Sequence, residues 1–201
     1  MKKYLKQALV VACVVGLASC SQKPATNEAT DAAVASPDVA AAPAPAAVPT
    51  APPVPLDPNF VELPFDSTSN YAINIAVGES VSAEAAVPRD GVISGVEVQV
   101  GNYGNASKGD LTLQLCQGAR CGQGVADFGA STNNDDFLIS LGAPFEIKTA
   151  EGPLVFKFSR EAGSELAAVW SYPATVPTSM LTVPNGEKLP RTLKIGLHYV
   201  P

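Results

Sequence analysis

An all-β fold, an antiparallel sandwich or jelly roll of about eight to ten strands, is predicted for residues 58–201 of this 201-residue sequence. Three observations predict it. Apolar and polar residues alternate with period two, the signature of strands with one buried face. Clusters of Gly, Asn, Asp and Pro separate the alternating runs. Finally, 18 prolines and 16 glycines make about one residue in six a breaker of long helices.

The strands follow in chain order. Tyr71, Ile73 and Ile75 share one parity; so do Val96, Val98 and Val100, which alternate with Glu97 and Gln99. Leu111, Leu113 and Leu115 alternate with Thr112 and Gln114, and Phe137, Ile139 and Leu141 form a shorter run. Leu154, Phe156 and Phe158 follow, and Leu193, Ile195, Leu197 and Tyr199 close the chain as one last strand. Glu161 to Val169 has some helical character but runs into Ala167-Ala168-Val169-Trp170 and is read as strand. Turns are expected at Pro88-Arg89-Asp90-Gly91, Gly101-Asn102, Lys108-Gly109-Asp110, Gly142-Ala143-Pro144 and Asn185-Gly186. No fixed internal period is present, which disfavours propellers and solenoids.

The front of the chain has a different composition. Lys2, Lys3 and Lys6 precede an uncharged run ending at Ser19, the pattern of an export signal over residues 1–19. That run is shorter than the ~20 apolar residues needed to span a bilayer. It ends in Leu17-Ala18-Ser19-Cys20, which resembles the lipobox of bacterial lipoproteins. The resemblance implies cleavage before Cys20 and a diacylglycerol on its sulfur, with a further acyl chain such as palmitate on its amine. Ser21 follows, which resembles the outer-membrane class if the host is Gram-negative. Two or three acyl chains hold a protein where one does so marginally, since each buried CH₂ contributes about 0.8 kcal/mol. Residues 20–57 then form a lipidated terminus and linker. From Ser21 to Asp57 there are twelve alanines, eight prolines and no aromatic residue, too little bulky apolar surface to offset ordering entropy. Polyproline II at about 3.1 Å per residue gives such a tether a reach on the order of 100 Å. A ligand for proline-recognition domains is the other reading of this stretch.

Charge and histidine content narrow the function. The formal charge is −6, and loss of residues 1–19 removes three of thirteen basic residues and no acid, leaving −9. A nucleic-acid partner is therefore not expected, and acyl groups rather than basic residues must supply membrane attachment. The single histidine, His198, lies on a strand with its ring outward by parity, and no GxSxG elbow is present. No enzymatic activity and no cofactor are expected.

Four cysteines divide by place. Cys13 leaves with the signal and Cys20 is the lipidation site, leaving Cys116 and Cys121 around Gln117-Gly118-Ala119-Arg120. In an oxidising envelope they form a disulfide, whose small loop contributes about 2 kcal/mol on the chain-entropy model. Ser131-Thr132-Asn133-Asn134-Asp135-Asp136 is rich in oxygen, so Asp135 and Asp136 are weak candidates for calcium. Adjacent carboxylates on an extended segment point apart, however, which also argues against a glycosidase pair. Trp170 and Tyr172 share strand parity, and Tyr103 sits in the glycine-rich turn Gly101-Asn102-Tyr103-Gly104-Asn105. These three aromatics are the candidate ligand-binding residues; Trp170 either stacks on a ligand or fills the core.

The run Gly95-Val96-Glu97-Val98-Gln99-Val100-Gly101-Asn102-Tyr103-Gly104, with Gly109-Asp110-Leu111-Thr112-Leu113-Gln114-Leu115, is similar to β-sandwich accessory domains of bacterial glycan-related proteins. The similarity spans some 25 residues and implies a glycan ligand without naming the sugar or any residue's role. The expected function is a lipid-anchored envelope binding module for glycan or an envelope protein. The alternative is a structural or assembly lipoprotein.

Overall fold

Strands form where the alternation places a β-branched, leucine or aromatic side chain on every second position, because a pleated segment can then bury one whole face. The computed structural model describes residues 57–164 and 166–201. The export signal, Cys20 and the linker through residue 56 lie outside the described residues. Among the described residues the chain forms thirteen strands: β1 Phe60–Glu62, β2 Tyr71–Ile75, β3 Ser80–Ala85, β4 Gly91–Gly101, β5 Asp110–Gln117, β6 Arg120–Asp127, β7 Asp136–Ile147, β8 Leu154–Ser159, β9 Ala167–Pro173, β10 Met180–Thr182, β11 Lys188–Leu189, β12 Arg191–Leu193 and β13 Ile195–Tyr199. Nine have five or more residues, which matches the eight to ten expected; the other four have two or three.

All pairings are antiparallel. One curled path runs β1-β13-β4-β7-β6-β5-β8-β3-β10-β11, and β9 carries β12 and β2 on its flanks. The two layers meet through the long β4. Its body pairs β13 and β7, while Val100 and Gly101 at its end pair Val169 and Ala168 of β9. The end of β4 is thus held between two sheet regions, and the candidate site lies there.

The core is the predicted set of parities. Ile73, Ile75, Val96, Val98, Val100, Leu111, Leu113, Leu115, Ile139, Leu154, Phe156 and Phe158 are all buried. A fully buried Leu or Phe contributes about 1.5–3 kcal/mol relative to exposure. Gln117 continues the inward parity of β5 and is also buried. Its amide donates to the carbonyls of Lys148 (2.6 Å) and Gly152 (2.9 Å) and accepts from the Lys148 N–H (3.0 Å), tying down the 3₁₀ turn Thr149–Glu151. Arg160 is also fully buried; it donates to the carbonyls of Lys108 (2.7 Å) and Ser164 (3.2 Å), and burial lowers its pKa. Cys116 and Cys121 stand directly opposite each other and form the disulfide. The two-residue turn between the strands has Gly118 at φ 58°, where glycine carries no Cβ penalty.

Four local expectations change. Gly142-Ala143-Pro144 is not a turn between strands but lies within β7. Ile93 pairs Phe145 and Gly95 pairs Ser140, so residues 141–144 oppose Ser94 alone. Turn chemistry here builds a bulge, a position where a strand tolerates proline. The bulge lets Leu141 pair Gly124 of β6. The final strand divides at Lys194, because β12 pairs β9 while β13 pairs β4 and β1. Tyr71 has the parity of Ile73 and Ile75 yet is 41% exposed, where its ring carries the Arg191 guanidinium 4.1 Å above it. Of the expected strand from Glu161, β9 forms only from Ala167 onward, and Ser164 makes an isolated bridge to Lys108.

Candidate functional site

Two loops, 102–109 and 131–135, close over the end of β4. With β2 and β9 they wall a groove of about 240 Å³ lined by Ala72, Gly101, Tyr103, Asn133, Asn134, Ala168 and Trp170. The pleat explains why β9 contributes Ala168 and Trp170. Ala167 and Val169 point into the core, so the residues between and after them face the other way. Ala72 stands opposite Trp170 on β2. Small side chains at 72, 101 and 168 leave the space that the aromatic rings border.

Asn102 holds this end together. It is fully buried, and its amide donates to the Ser131 carbonyl (2.7 Å), the Ser131 hydroxyl (3.0 Å) and Asn105 Oδ1 (3.1 Å). Its own Oδ1 accepts the Asn105 N–H (2.9 Å), and its N–H donates to Asn133 Oδ1 (2.8 Å). Its carbonyl accepts the N–H groups of Ala106 and Ser107. The 131–135 loop is further tied to β4 by the Val100 N–H on the Asp135 carbonyl (3.0 Å) and Gln99 Nε2 on the Asn134 carbonyl (3.1 Å).

The network supports unusual backbone. Among the described residues, three non-glycine positions have positive φ: Tyr103 at 53°, Asn105 at 71° and Asn134 at 63°. All lie in these two loops. Asparagine tolerates the left-handed region, but a tyrosine there costs of order 1 kcal/mol or more and persists only when its surroundings impose it. The Tyr103 hydroxyl also donates to Asn74 Oδ1 of β2, and its ring is left 49% exposed.

The three candidate aromatics therefore separate. Tyr103 and Trp170 meet at the groove. Trp170 is half-buried and outside the main core, and its Nε1 is buried without an acceptor. Tyr172 shares the Trp170 face, as parity requires, but is only 6% exposed: Phe65 packs on it with centroids 4.6 Å apart, and its hydroxyl donates to Gln99 Oε1. It braces β9 against β4 and offers no ring to a ligand. Sequence reasoning reaches Asn133 and Asn134 only as part of the oxygen-rich loop and Gly101 only as a turn residue. Their signal was present as loop and turn composition, which does not say that two distant loops converge.

In the oxygen-rich loop both carboxylates have partners within the protein. Asp136 is bonded to Lys194 Nζ at 2.6 Å, and Asp135 Oδ1 accepts the Asp136 N–H at 2.9 Å. Among the described residues no group of three or more His, Cys, Asp or Glu side chains is placed to hold a metal. Partial burial works against the Lys194 ammonium. The Asp136 hydrogen bond and the charges of Asp136 and Glu62 outweigh it and hold its pKa above the ordinary value. His198 is paired at Nε2 with Glu97 Oε2 (3.1 Å) and packed edge-on against Phe60 (5.0 Å). Ser94 lies nearby, but its hydroxyl donates to the His198 main-chain carbonyl (3.2 Å), not to the ring, so the three do not form a nucleophile relay.

A second concavity of about 380 Å³ is lined by Glu84, Ala85, Ala86, Val87, Thr149, Gly152, Pro153 and Thr178. It is larger, but it presents no aromatic ring and no imposed backbone, so the smaller groove is the better candidate. Comparison with known protein families, curated proteins and solved structures finds no match.

Proposed function

We propose that this chain is a lipid-anchored binding module of the bacterial cell envelope, attached through acylated Cys20 at the outer membrane, and that it recognises glycan through the Tyr103–Trp170 groove. The observation that carries the ligand reading is the convergence of two aromatic side chains and two asparagines on one groove. Sugar rings have an apolar C–H face and a rim of hydroxyls, so aromatic surface beside amide donors and acceptors is complementary to them. Imposed positive φ at Tyr103 and Asn134 adds support, because strained backbone concentrates at ligand clamps. The anchor rests on Lys2, Lys3 and Lys6, the apolar run and Leu17-Ala18-Ser19-Cys20.

The ligand reading is tested with the full chain, purified in detergent, on a glycan array beside Trp170→Ala and Tyr103→Ala. The expected result is retention of a defined set of glycans by the wild type and its loss in both variants. An array without any retained glycan would transfer the assignment to a structural or assembly lipoprotein. For the anchor, metabolic labelling with a palmitate analogue should mark the wild type and leave Cys20→Ala unlabelled.

A further inference from the structure

We infer that the groove receives one uncharged sugar ring, presented at the end of a glycan or as an accessible unit along it, and that it rejects carboxylated, sulfated or phosphorylated sugars. This rests on the glycan reading above and specifies its ligand class. The first argument is size. A volume of about 240 Å³ falls below the ~300–1,000 Å³ of pockets that enclose drug-sized ligands. One ring fits, and the remainder of the glycan must lie outside.

Charge supplies the second argument. Among the described residues no Lys, Arg, His, Asp or Glu lines the groove. Its one ionisable lining group is the Tyr103 phenol, and that hydroxyl is already committed to Asn74. A charged substituent seated there would lose hydration without gaining a counter-charge, which is strongly unfavourable. The net charge of −9 left after loss of residues 1–19 adds repulsion for anions. Recognition of a quaternary ammonium would also be neutral to size, but such groups need ring faces on several sides, and this groove offers two rings.

The third argument concerns which polar atoms remain for the ligand. Asn133 spends its Oδ1 on the Asn102 N–H, so its NH₂ keeps both donors. Asn134 uses only its main-chain carbonyl, toward Gln99, and its side-chain amide makes no hydrogen bond to the described residues. Its Oδ1 overlooks the floor, 3.7 Å from the point where a Cβ on Gly101 would sit. One amide presenting donors beside another presenting donor and acceptor matches neighbouring hydroxyls, each of which both gives and takes a hydrogen bond. Ala72, Ala168 and Gly101 complete an apolar floor for the ring's C–H face.

The test compares matched glycans that differ only in the terminal ring: glucose, galactose, mannose and N-acetylglucosamine against glucuronate, sialic acid, 6-sulfated and 6-phosphorylated forms, with choline as a cationic control. The full chain in detergent is used at low and at moderate salt. Expected is binding to at least one neutral terminus, at least ten-fold weaker binding to its acidic counterpart, and little dependence on salt. Asn134→Ala should weaken the neutral ligand five-fold or more; alanine is disfavoured at φ 63°, so Asn134→Gly, which keeps that backbone and lacks the amide, should weaken it as much without a large fall in melting temperature. Stronger binding to an acidic terminus, to choline, or unaltered binding by Asn134→Ala overturns this inference while leaving glycan recognition in place. Absence of binding to every probe overturns both.

Discussion

Between Asp110 and Asp127 the β5–β6 hairpin keeps eight consecutive cross-strand pairs without a register shift, and a disulfide joins its next-to-last pair. At the far end of β4, by contrast, pairing with β9 lasts two residues, and loops held by asparagine side chains take over. Both regions are well determined, but by different forces. The hairpin is ordered by repeated apolar burial and by hydrogen bonds that any sequence of the right parity can make. The groove is ordered by side-chain hydrogen bonds that only a few residue types can make, and these hold Tyr103 and Asn134 in backbone conformations they would otherwise avoid. Regular pairing leaves no concavity between strands; the interruption of pairing at Gly101 is what opens one. Stability and recognition therefore have separate addresses, and mutations should separate them too.

The sharpest break lies on the hairpin side. Leu113 is fully buried on β5 between β6 and β8, so Leu113→Ala should cost about 2–5 kcal/mol. Thermal denaturation should show a fall of many degrees, while the surviving folded fraction keeps its affinity for glycan. Loss of affinity without loss of stability would mean that the two regions are not independent. Asn102→Ala comes next and attacks the other side. It strands the Asn105 N–H and removes three donated hydrogen bonds, at about 1–3 kcal/mol for buried groups left unpaired. Here affinity should fall further than stability does, because Tyr103 is released from its imposed conformation. Equal melting temperatures for Asn102→Ala and wild type would remove the argument that this residue holds the loop. The Cys116→Ser/Cys121→Ser double variant should lower stability by about 2 kcal/mol and leave glycan binding unchanged, since the disulfide sits at the opposite end of β5 from the groove-side loop.

The same division decides how much could be read from the chain. Period-two alternation named the inner faces of β5, β8, β13 and the Val96–Val100 part of β4 because each keeps one parity, whereas Ile93 is buried with the opposite parity beyond the register shift at Ser94. Cys116–Cys121 followed from two cysteines flanking one short segment in an oxidising compartment. Where the chain changes sheets, alternation alone fails. Lys194 interrupts nothing in the pattern Leu193-Ile195-Leu197-Tyr199, yet β12 and β13 belong to different pairings. Gly142-Ala143-Pro144 carries turn residues that serve a bulge instead, since the signal for both is the same backbone freedom. Tyr103 and Trp170 were visible singly as candidates. Their meeting depends on how the 102–109 loop and β9 converge over β4, and Tyr172 is taken from the set by Phe65 and Gln99, contacts that no local pattern encodes.

The smallest structural change offers the cleanest separation of the two regions. Gly101 lies at the groove floor with ordinary strand geometry, so a side chain there meets no backbone penalty. A Cβ would stand 3.5 Å from the Ala168 Cβ, 3.5 Å from Trp170 Nε1 and 3.7 Å from Asn134 Oδ1. These are unstrained contacts, and replacing glycine by alanine also reduces the freedom of the unfolded chain, worth about 0.4–1 kcal/mol in favour of the folded state. Gly101→Ala should therefore keep or slightly raise the melting temperature. The added methyl occupies the space in which the ring's apolar face would rest, so glycan affinity should drop several-fold, measured by titration calorimetry with the best array ligand. Were affinity preserved together with stability, the floor between Ala168 and Trp170 would not be where the sugar sits, and the recognition surface would have to be sought outside this groove.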